Sequence, residues 1–339
     1  MSDSLLAGDS RPDDTSFDQA LRPRSFDEFV GQQRVKENVL IYIQAARQRG
    51  EPLDHVLFSG PPGLGKTTLA ILIADALGAN LKSTSGPAIE RPGDLVGILT
   101  SLAEGDVLFI DELHRLGRVV EEYLYSAMED FVIDITLEQG AYAKSVRIPL
   151  PRFTLVGATT REGLLTGPFR ARFGIVEKLE LYPPEDIEKV IGNSARRLGV
   201  EIDAEGGRLL AECSRGTPRV ANRLLRRVRD ISEVLGGGAV TRQSARKGLD
   251  RLGVDAHGLD PTDRRILAAI LRAGGAPVGL KTIAVTVGEE DDTIEEVYEP
   301  YLIQRGYIEK TPRGRVPTAI AASHYGQPES GAPKGLFDE

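Results

Sequence analysis

The feature that most constrains this chain is a glycine-rich stretch at residues 60–68, with the sequence GPPGLGKTT. A short apolar run at residues 55–58 precedes it, and a helical pattern that ends at Gly78 follows it. A strand, a glycine-rich loop and a helix in this order form the context of a phosphate-binding loop. The backbone N–H groups of such a loop and of the helix N-terminus surround phosphate oxygens. The sequence therefore predicts a nucleotide-binding α/β domain.

Within this loop, each residue type suits phosphate binding. Glycines at 60, 63 and 65 permit positive φ and a close approach of the backbone to phosphate. Lys66 would carry charge to the β- and γ-phosphates, and the Thr67 hydroxyl would be a ligand of Mg²⁺. ATP and Mg²⁺ are therefore the expected ligand and cofactor.

Two further apolar runs predict strands of the same sheet. Residues 106–112 end in Asp111 and Glu112, and residues 153–157 are followed by two threonines, ending with Thr160. Ligands of parallel sheets bind beyond the carboxyl ends of the strands, so these polar side chains should face the phosphates. We expect Asp111 to act on the metal and Glu112 to be the base that activates water.

Composition excludes several other classes of protein. The chain has 339 residues, 41% of them hydrophobic and 27% charged, which is typical of a globular protein of two or three domains. No apolar run is long enough for a membrane span, no secretory signal is visible, and the single cysteine cannot form an internal disulfide. A net charge of −8 means that any DNA contact needs a local basic patch. We expect a cytoplasmic protein with no membrane partner.

The chain divides by pattern into five parts. Residues 1–17 and 326–339 are predicted to be disordered tails, residues 18–182 a large ATPase domain, residues 183–254 a small helical domain, and residues 255–325 a winged helix with a hairpin after three short helices. The segment before the first strand could either wrap an adenine base or brace the domain.

Strict alternation of apolar residues at 131–150 predicts a hairpin outside the main sheet. We expect Ile133, Ile135 and Ile148 to share one face and to dock a partner, although packing on the hairpin's own domain is the alternative. Arg170 and Arg172 follow on a loop. An arginine there could stabilise transition-state charge in a neighbouring subunit.

Taken together, the motifs resemble those of the RuvB family, the AAA+ motor subunits of bacterial Holliday-junction branch migration. The stretches that carry the resemblance are GPPGLGKTT at 60–68, LFIDELHRL at 108–116, GATTR at 157–161, GTPRVANR at 216–223, EPYLIQRG at 299–306 and TPRGR at 311–315. The first of these, and the Asp-Glu pair within the second, fit any AAA+ protein, whereas the others are much more specific.

This resemblance implies the fold class: an AAA+ P-loop parallel-sheet domain, an all-α lid domain and a C-terminal winged-helix domain. It also implies roles for individual residues. The nucleotide-binding set is Leu21, Arg22, Gly63, Leu64, Gly65, Lys66, Thr67, Thr68, Glu129, Asp130, Phe131, Arg172, Tyr182 and Arg219, with Thr67 and Asp111 on the metal. Asp111, Glu112, Thr160 as γ-phosphate sensor and Arg172 as trans-acting finger form the catalytic set.

The partners that the resemblance implies are a homo-hexameric ring on duplex DNA, the junction-binding protein RuvA on the hairpin, Holliday-junction DNA, and the resolvase RuvC in the wider complex. The P-loop motif is also compatible with two other classes of protein. A small-molecule P-loop kinase would need neither a trans arginine nor a DNA-binding domain. A clamp loader or transcription regulator would keep the ATPase and use another terminal domain.

Charge predicts which part of the winged helix contacts DNA. The third helix and its lead-in carry seven carboxylates between residues 289 and 299, whereas Lys310, Arg313 and Arg315 surround the hairpin turn. Phosphate repels carboxylates, so we expect the acidic helix to face away and the hairpin, or wing, to follow the DNA backbone.

Overall fold

The computed structural model describes residues 14–136, 145–235 and 237–326, apart from the side chains of residues 14–16, 135, 136, 145 and 235. The chain forms two compact units, with Asp13–Tyr182 in one and Pro183–Glu339 in the other. Most of the two predicted disordered tails lies outside the described residues. Residues 14–17 belong to a helix, so the prediction of disorder is wrong there.

The unit that contains the glycine-rich loop alternates helices and strands. In chain order they are α1 (Asp14–Leu21), α2 (Gln33–Arg49), β1 (Val56–Ser59), α3 (Lys66–Leu77), β2 (Leu81–Ser85), α4 (Pro92–Thr100), β3 (Val107–Asp111), α5 (Arg118–Asp130), β4 (Val132–Thr136), β5 (Ser145–Pro149), β6 (Thr154–Thr159), α6 (Gly167–Arg170) and β7 (Ile175–Lys178).

Five of these strands form a parallel sheet in the order β2-β3-β6-β1-β7. The three strands that the apolar runs predict, β1, β3 and β6, lie at its centre, and nearly all their residues are buried. The register pairs Ser59 with Thr159 and Ile110 with Gly157, so the carboxyl ends of these strands meet at one edge of the sheet. As predicted, β4 and β5 form a separate antiparallel hairpin.

The second unit is helical up to a C-terminal hairpin. Its elements are α7 (Pro184–Leu198), α8 (Ala204–Glu212), α9 (Pro218–Leu235), α10 (Arg242–Arg251), α11 (Pro261–Leu271), α12 (Leu280–Val287), α13 (Asp291–Thr293), a π-helical turn (Ile294–Tyr298), α14 (Glu299–Gln304), β8 (Ile308–Thr311), β9 (Gly314–Pro317) and α15 (Ala319–Tyr325). From α11 onward, the helices and the hairpin enclose one apolar core, which is the arrangement of a winged helix.

The predicted helix ends are also found. Gly50 and Gly78 follow α2 and α3 with φ of 67° and 70°, where a glycine avoids the penalty of a Cβ atom. Among the helices that the structure describes, none is both long and apolar enough to cross a membrane.

Candidate functional site

The glycine-rich loop has the backbone that phosphate binding requires. Gly60, Gly63 and Gly65 have φ of 133°, 80° and 101°, as predicted for positions that only glycine adopts easily. A Cβ atom on Gly60 would lie 2.4 Å from the carbonyl oxygen of Leu179, so the loop is also closely packed from behind. The conformation is therefore fixed by both backbone preference and packing.

Lys66 opens α3 and is buried in the loop itself. Its Nζ donates hydrogen bonds to the carbonyl oxygens of Gly60 at 2.7 Å and Pro61 at 2.8 Å, which hold the ammonium over the loop. Thr67 and Thr68 follow on the first turn of α3 and are half-buried. The N-terminus of this helix thus brings backbone donors, a positive charge and two hydroxyls to one place, as an anion site needs.

The two predicted acids lie where β3 ends. Asp111 is its last residue, and its Oδ1 accepts a hydrogen bond from the backbone N–H of Glu112 at 2.9 Å. Glu112 has a positive φ of 51°. Its Oε2 accepts a hydrogen bond from Arg115 Nη1 at 3.0 Å, a partner that the sequence analysis missed. This pair is exposed, so it should be weak and easily exchanged for a water molecule or a ligand.

Of the two threonines after the central strand, Thr160 is better placed to act on a ligand. Thr159 is buried, and its hydroxyl oxygen accepts a hydrogen bond from the N–H of Arg161 at 3.0 Å and lies 3.1 Å from Nδ1 of His114. Thr159 is therefore a structural link between β6 and the turn after β3. Thr160 is half-buried at the carboxyl end of β6.

Tyr182 and Phe29 pack against the glycine-rich loop. The Tyr182 hydroxyl donates to the carbonyl oxygen of Leu64 at 3.2 Å, and a Cβ on Gly65 would lie 3.1 Å from the Phe29 ring. Phe29 was not predicted as a site residue, because an aromatic residue in an aperiodic segment has no distinctive signal. Two other predicted residues lie in the segment that precedes it: Leu21 is buried and Arg22 is half-buried.

Arg172 is partly exposed and is held in place by residues of α5. Its guanidinium forms an ion pair with Glu129, donates to the Tyr125 hydroxyl at 2.5 Å, and lies 4.7 Å from the centroid of the Tyr125 ring. The side chains of Arg172 and Glu129 are both 35% exposed. The structure therefore joins two residues that the sequence analysis assigned separately to the nucleotide site. Arg170, the alternative finger, lies 3.5 Å from Glu162.

The remaining predicted nucleotide residues are more scattered. Asp130 is exposed at the end of α5, and the half-buried Phe131 packs edge-on against Phe153, with ring centroids 5.8 Å apart. Arg219 lies on the first turn of α9 in the other unit.

The hairpin confirms the predicted face but corrects part of the docking prediction. Ile133 pairs with Ile148, and Ile135 with Val146, so all four lie on one face. Ile133 is fully buried in the core of its own domain and cannot contact a partner, because the base of the hairpin packs on α5. Ile148 is half-buried, Val146 is 41% exposed, and the side chain of Ile135 lies outside the described part.

The opposite face of the hairpin is polar. Arg147 donates two hydrogen bonds to the carboxylate of Asp134, at 3.0 and 3.1 Å, and these lower the pKa of Asp134. One face of the hairpin is therefore apolar and the other polar, as expected for a hairpin that docks a partner through its apolar face.

On the wing, the structure overturns one of the predicted DNA contacts. Arg315 is buried and forms a two-pronged ion pair with the buried carboxylate of Glu299, in which Arg315 Nη2 lies 2.9 Å from Oε2. Lys310 is half-exposed and pairs with Glu295 at 2.6 Å. Two carboxylates of the acidic helix thus find their counterions on the neighbouring strands of the wing. That this helix faces away from DNA stays a prediction. Arg313 remains exposed at the turn.

The residues present fit a nucleotide with Mg²⁺. The Thr67 hydroxyl and the Asp111 carboxylate are hard oxygen donors, which suit this ion. In the described ranges no group of three or more His, Cys, Asp or Glu side chains could hold a metal alone. A metal here would need phosphate oxygens to complete its coordination, as is usual in P-loop enzymes.

Comparisons with known proteins agree with this geometry. Residues 21–179 match the family described as the Holliday junction DNA helicase RuvB P-loop domain, residues 182–255 the RuvB AAA lid domain, and residues 256–326 the RuvB C-terminal winged helix domain. The chain is 56% identical to the Holliday junction branch migration complex subunit RuvB of Myxococcus xanthus, covering 97% of this chain and 96% of that protein. It is 55% identical to the subunit of the same name from Salinibacter ruber, covering 100% and 98% of the two chains.

Solved structures give the same result. The Thermotoga maritima RuvB Holliday junction branch migration motor superposes with a TM-score of 0.84 at 47% identity, covering 93% of this chain and all of that one. A single-residue variant of the same motor also reaches 0.84, at 48% identity, over 91% of this chain and 99% of that one. With its P-loop, lid and winged-helix domains matched in order along most of its length, the chain belongs to the RuvB family.

Proposed function

We propose that this chain is the ATP-driven motor subunit of a Holliday junction branch migration complex. The observation that carries the proposal is the union, in one chain of the RuvB family, of a formed phosphate-binding loop and a winged helix. Its oligomer would be a hexameric ring around duplex DNA, working in the cytoplasm with RuvA at the junction and RuvC in the wider complex. Ring formation would bring each Arg172 to the nucleotide of a neighbouring subunit.

In hydrolysis, the loop N–H groups and Lys66 hold the phosphates in place. Mg²⁺, when bound by Thr67 and Asp111, neutralises phosphate charge. Glu112 accepts a proton from the attacking water, and the Thr160 hydroxyl orients the γ-phosphate. Arg172 stabilises the charge that develops on the transferred group, and Arg219 contributes from the lid. Leu21, Arg22 and Tyr182 would border the adenine.

DNA dependence tests the function as a whole. Steady-state ATPase activity should rise when four-way junction DNA and RuvA are added together, and less with linear duplex of the same length. A Lys66→Ala variant provides the background rate. ATPase activity that changes with neither the structure of the DNA nor the presence of RuvA would rule out a junction motor.

Ile148 should be a contact for RuvA. Ile148→Asp would place a carboxylate on the apolar face, and we expect it to weaken RuvA binding at least about 30-fold, the effect of losing a hot-spot residue of ~2 kcal/mol. Arg147→Ala, on the polar face of the same strand, is the matched control and should bind normally. Titration of RuvA against each variant measures this, and equal affinities would remove Ile148 from the interface.

The wing arginines should behave differently from each other. Arg313→Ala should weaken binding equally on unrelated DNA sequences and reduce the slope of log K against log salt by about one, as for a lost phosphate contact. Arg315→Ala should instead destabilise the winged helix by about 3–5 kcal/mol, because it leaves Glu299 buried without its partner.

Binding isotherms at several salt concentrations and thermal melts separate the two effects. An Arg315→Ala variant of normal stability that loses one phosphate contact would restore the original assignment of Arg315 to DNA.

A further inference from the structure

A buried charge cluster joins the helical lid to the winged helix. Its guanidinium is that of Arg215, in the turn between α8 and α9, and only 3% of this residue is exposed. Arg215 Nη2 lies 3.0 Å from a carboxylate oxygen of Asp260 and also pairs with Asp263. The guanidinium carbon lies 5.4 and 5.6 Å from the ring centroids of Tyr298 and Tyr301. We call these five residues the Arg215 cluster.

The backbone of Arg215 is strained in a way that serves this contact. Arg215 has φ of 58° and Gly216 has φ of 65°, so two successive residues are left-handed. A residue other than glycine rarely adopts this backbone conformation unless surrounding contacts compensate for the strain. The same turn is fully buried at Ser214, whose hydroxyl donates to Ala211 at 2.7 Å. Arg219, the proposed nucleotide-sensing arginine, lies on the first turn of α9, about one helical turn further along the chain.

On the winged-helix side, the acids of the cluster start the first helix. Asp260 is the N-cap of α11, and the side chains of Asp260 and Asp263 accept hydrogen bonds from each other's backbone N–H groups at 2.8 and 2.9 Å. Burial raises the pKa of Asp263 to about 8, although the charge of Arg215 opposes this.

The segment between the two domains is packed rather than loose. Residues 255–260, which follow the lid, have the sequence DAHGLD. A Cβ on Gly258 would lie 3.1 Å from Cα of Cys213 and 3.0 Å from the Tyr301 hydroxyl, which donates to the carbonyl oxygen of His257 at 3.2 Å. Cys213, at the end of α8, is 1% exposed and is the only cysteine of the chain. Its thiol is therefore an intrinsic probe of the contact between the lid and the winged helix, which we call the seam.

We propose that Arg215 is a positioning residue that fastens the turn before the sensor helix α9 to α11 and to the third helix of the winged helix, so that lid and DNA-binding domain move as one body. Removing it should let the seam open while each domain keeps its own core. Nucleotide-driven movement of the lid would then no longer be passed fully to DNA. This last consequence rests on the proposed motor function, whereas the fastening itself can be tested without DNA.

The test uses Arg215→Met combined with Asp263→Asn, which removes the guanidinium and one of its two acid partners and keeps an oxygen for the helix cap. Arg242→Met is the matched control, because Arg242 makes an exposed lid ion pair with Glu205 at 3.6 Å. The rate at which a thiol reagent modifies Cys213 should rise at least about tenfold in the double variant, as expected for local opening. It should not rise in the control.

Denaturant separates local opening from general destabilisation. Opening of the seam exposes little surface, so the labelling rate should depend only weakly on urea, whereas global unfolding gives the full dependence. An unchanged rate, or one that follows global unfolding, would overturn the proposal. If the double variant does not fold, Arg215→Lys serves instead, because lysine keeps the charge but cannot form the planar fork over two rings. If Cys213 is modified in Arg215→Lys at the same rate as in the wild type, the proposal would equally be overturned.

The coupling of ATP hydrolysis to branch migration is measured in a separate experiment. In the double variant, junctions migrated per ATP hydrolysed should fall at least about tenfold while ATPase activity without DNA stays within about twofold of wild type. An unchanged ratio with faster labelling would refute transmission through the cluster. Failure of the wild-type chain to migrate junctions at all would instead refute the proposed function, and the labelling result would stand by itself.

Discussion

Replacing Arg172 with alanine should lower ATP turnover on the order of 10³-fold while leaving ATP binding intact. Arginine fingers contribute this much because they stabilise charge that appears only in the transition state. In the subunit, Arg172 is anchored by Glu129 and Tyr125 at a partly exposed edge, where a neighbour's phosphates could replace or join the carboxylate. Arg170→Ala is the matched control and should change turnover little, because the exposed Arg170 side chain makes only a long ion pair, at 3.5 Å, with Glu162.

Mixing experiments test whether Arg172 acts across a subunit boundary. Arg172→Ala and Lys66→Ala subunits should each be inactive alone, since one lacks the finger and the other the phosphate-binding lysine. In an equal mixture, about one quarter of the interfaces would pair an intact finger with an intact loop, because ring contacts are head-to-tail. Turnover should recover toward that fraction. Mixed rings that form but stay inactive would place the function of Arg172 within its own subunit.

Glu112→Gln should slow ATP turnover at least about 10²-fold, the scale expected when a general base is lost. Because glutamine is nearly isosteric, ATP binding and assembly should persist, whereas Lys66→Ala should weaken ATP binding itself. Single-turnover kinetics and nucleotide titration distinguish the two. Near-normal turnover by Glu112→Gln would show that another group activates the water.

Arg115→Ala is the control for this interpretation. It removes the partner of Glu112 but keeps the carboxylate, and the pair is exposed at both ends. Its loss should therefore change turnover by no more than about fivefold, corresponding to a surface ion pair of ~1 kcal/mol at most.

The parts of the fold that the sequence predicted are those encoded locally. The glycines of the phosphate-binding loop specify its backbone directly, and the buried runs of β1, β3 and β6 have few alternatives to a central parallel strand. The sheet-edge strands β2 and β7 and the helix α4 were not predicted. β2 is polar and only half-buried, and β7 is four residues long with alternating burial, so neither has a strong apolar signal.

The errors in the functional surfaces have a different origin. Alternation correctly predicted which hairpin face carries Ile133, but it does not indicate how far the domain core extends along that face. On the wing, counting charges suggested repulsion between DNA and the third helix. It did not show that Arg315 pairs with Glu299, sixteen residues earlier. Both features depend on contacts between segments, which no local pattern contains.

The ion pair of Arg172 shows the same limit of local sequence patterns. The sequence indicated Arg172 and the segment at residues 129–131 separately, as matches to family motifs. Their contact through Glu129 became visible only when α5 and the loop after α6 were placed in space.

Branch migration is the activity that distinguishes a junction motor from other ATPases. A labelled synthetic four-way junction with homologous arms is incubated with the chain, RuvA and ATP, and particle size is measured on the same samples. We expect conversion of the junction to duplex products by ring-sized particles only when ATP and RuvA are both present, and no conversion with Lys66→Ala. Rings that hydrolyse ATP on junction DNA with RuvA bound, yet leave every junction in place, would contradict the proposed motor function.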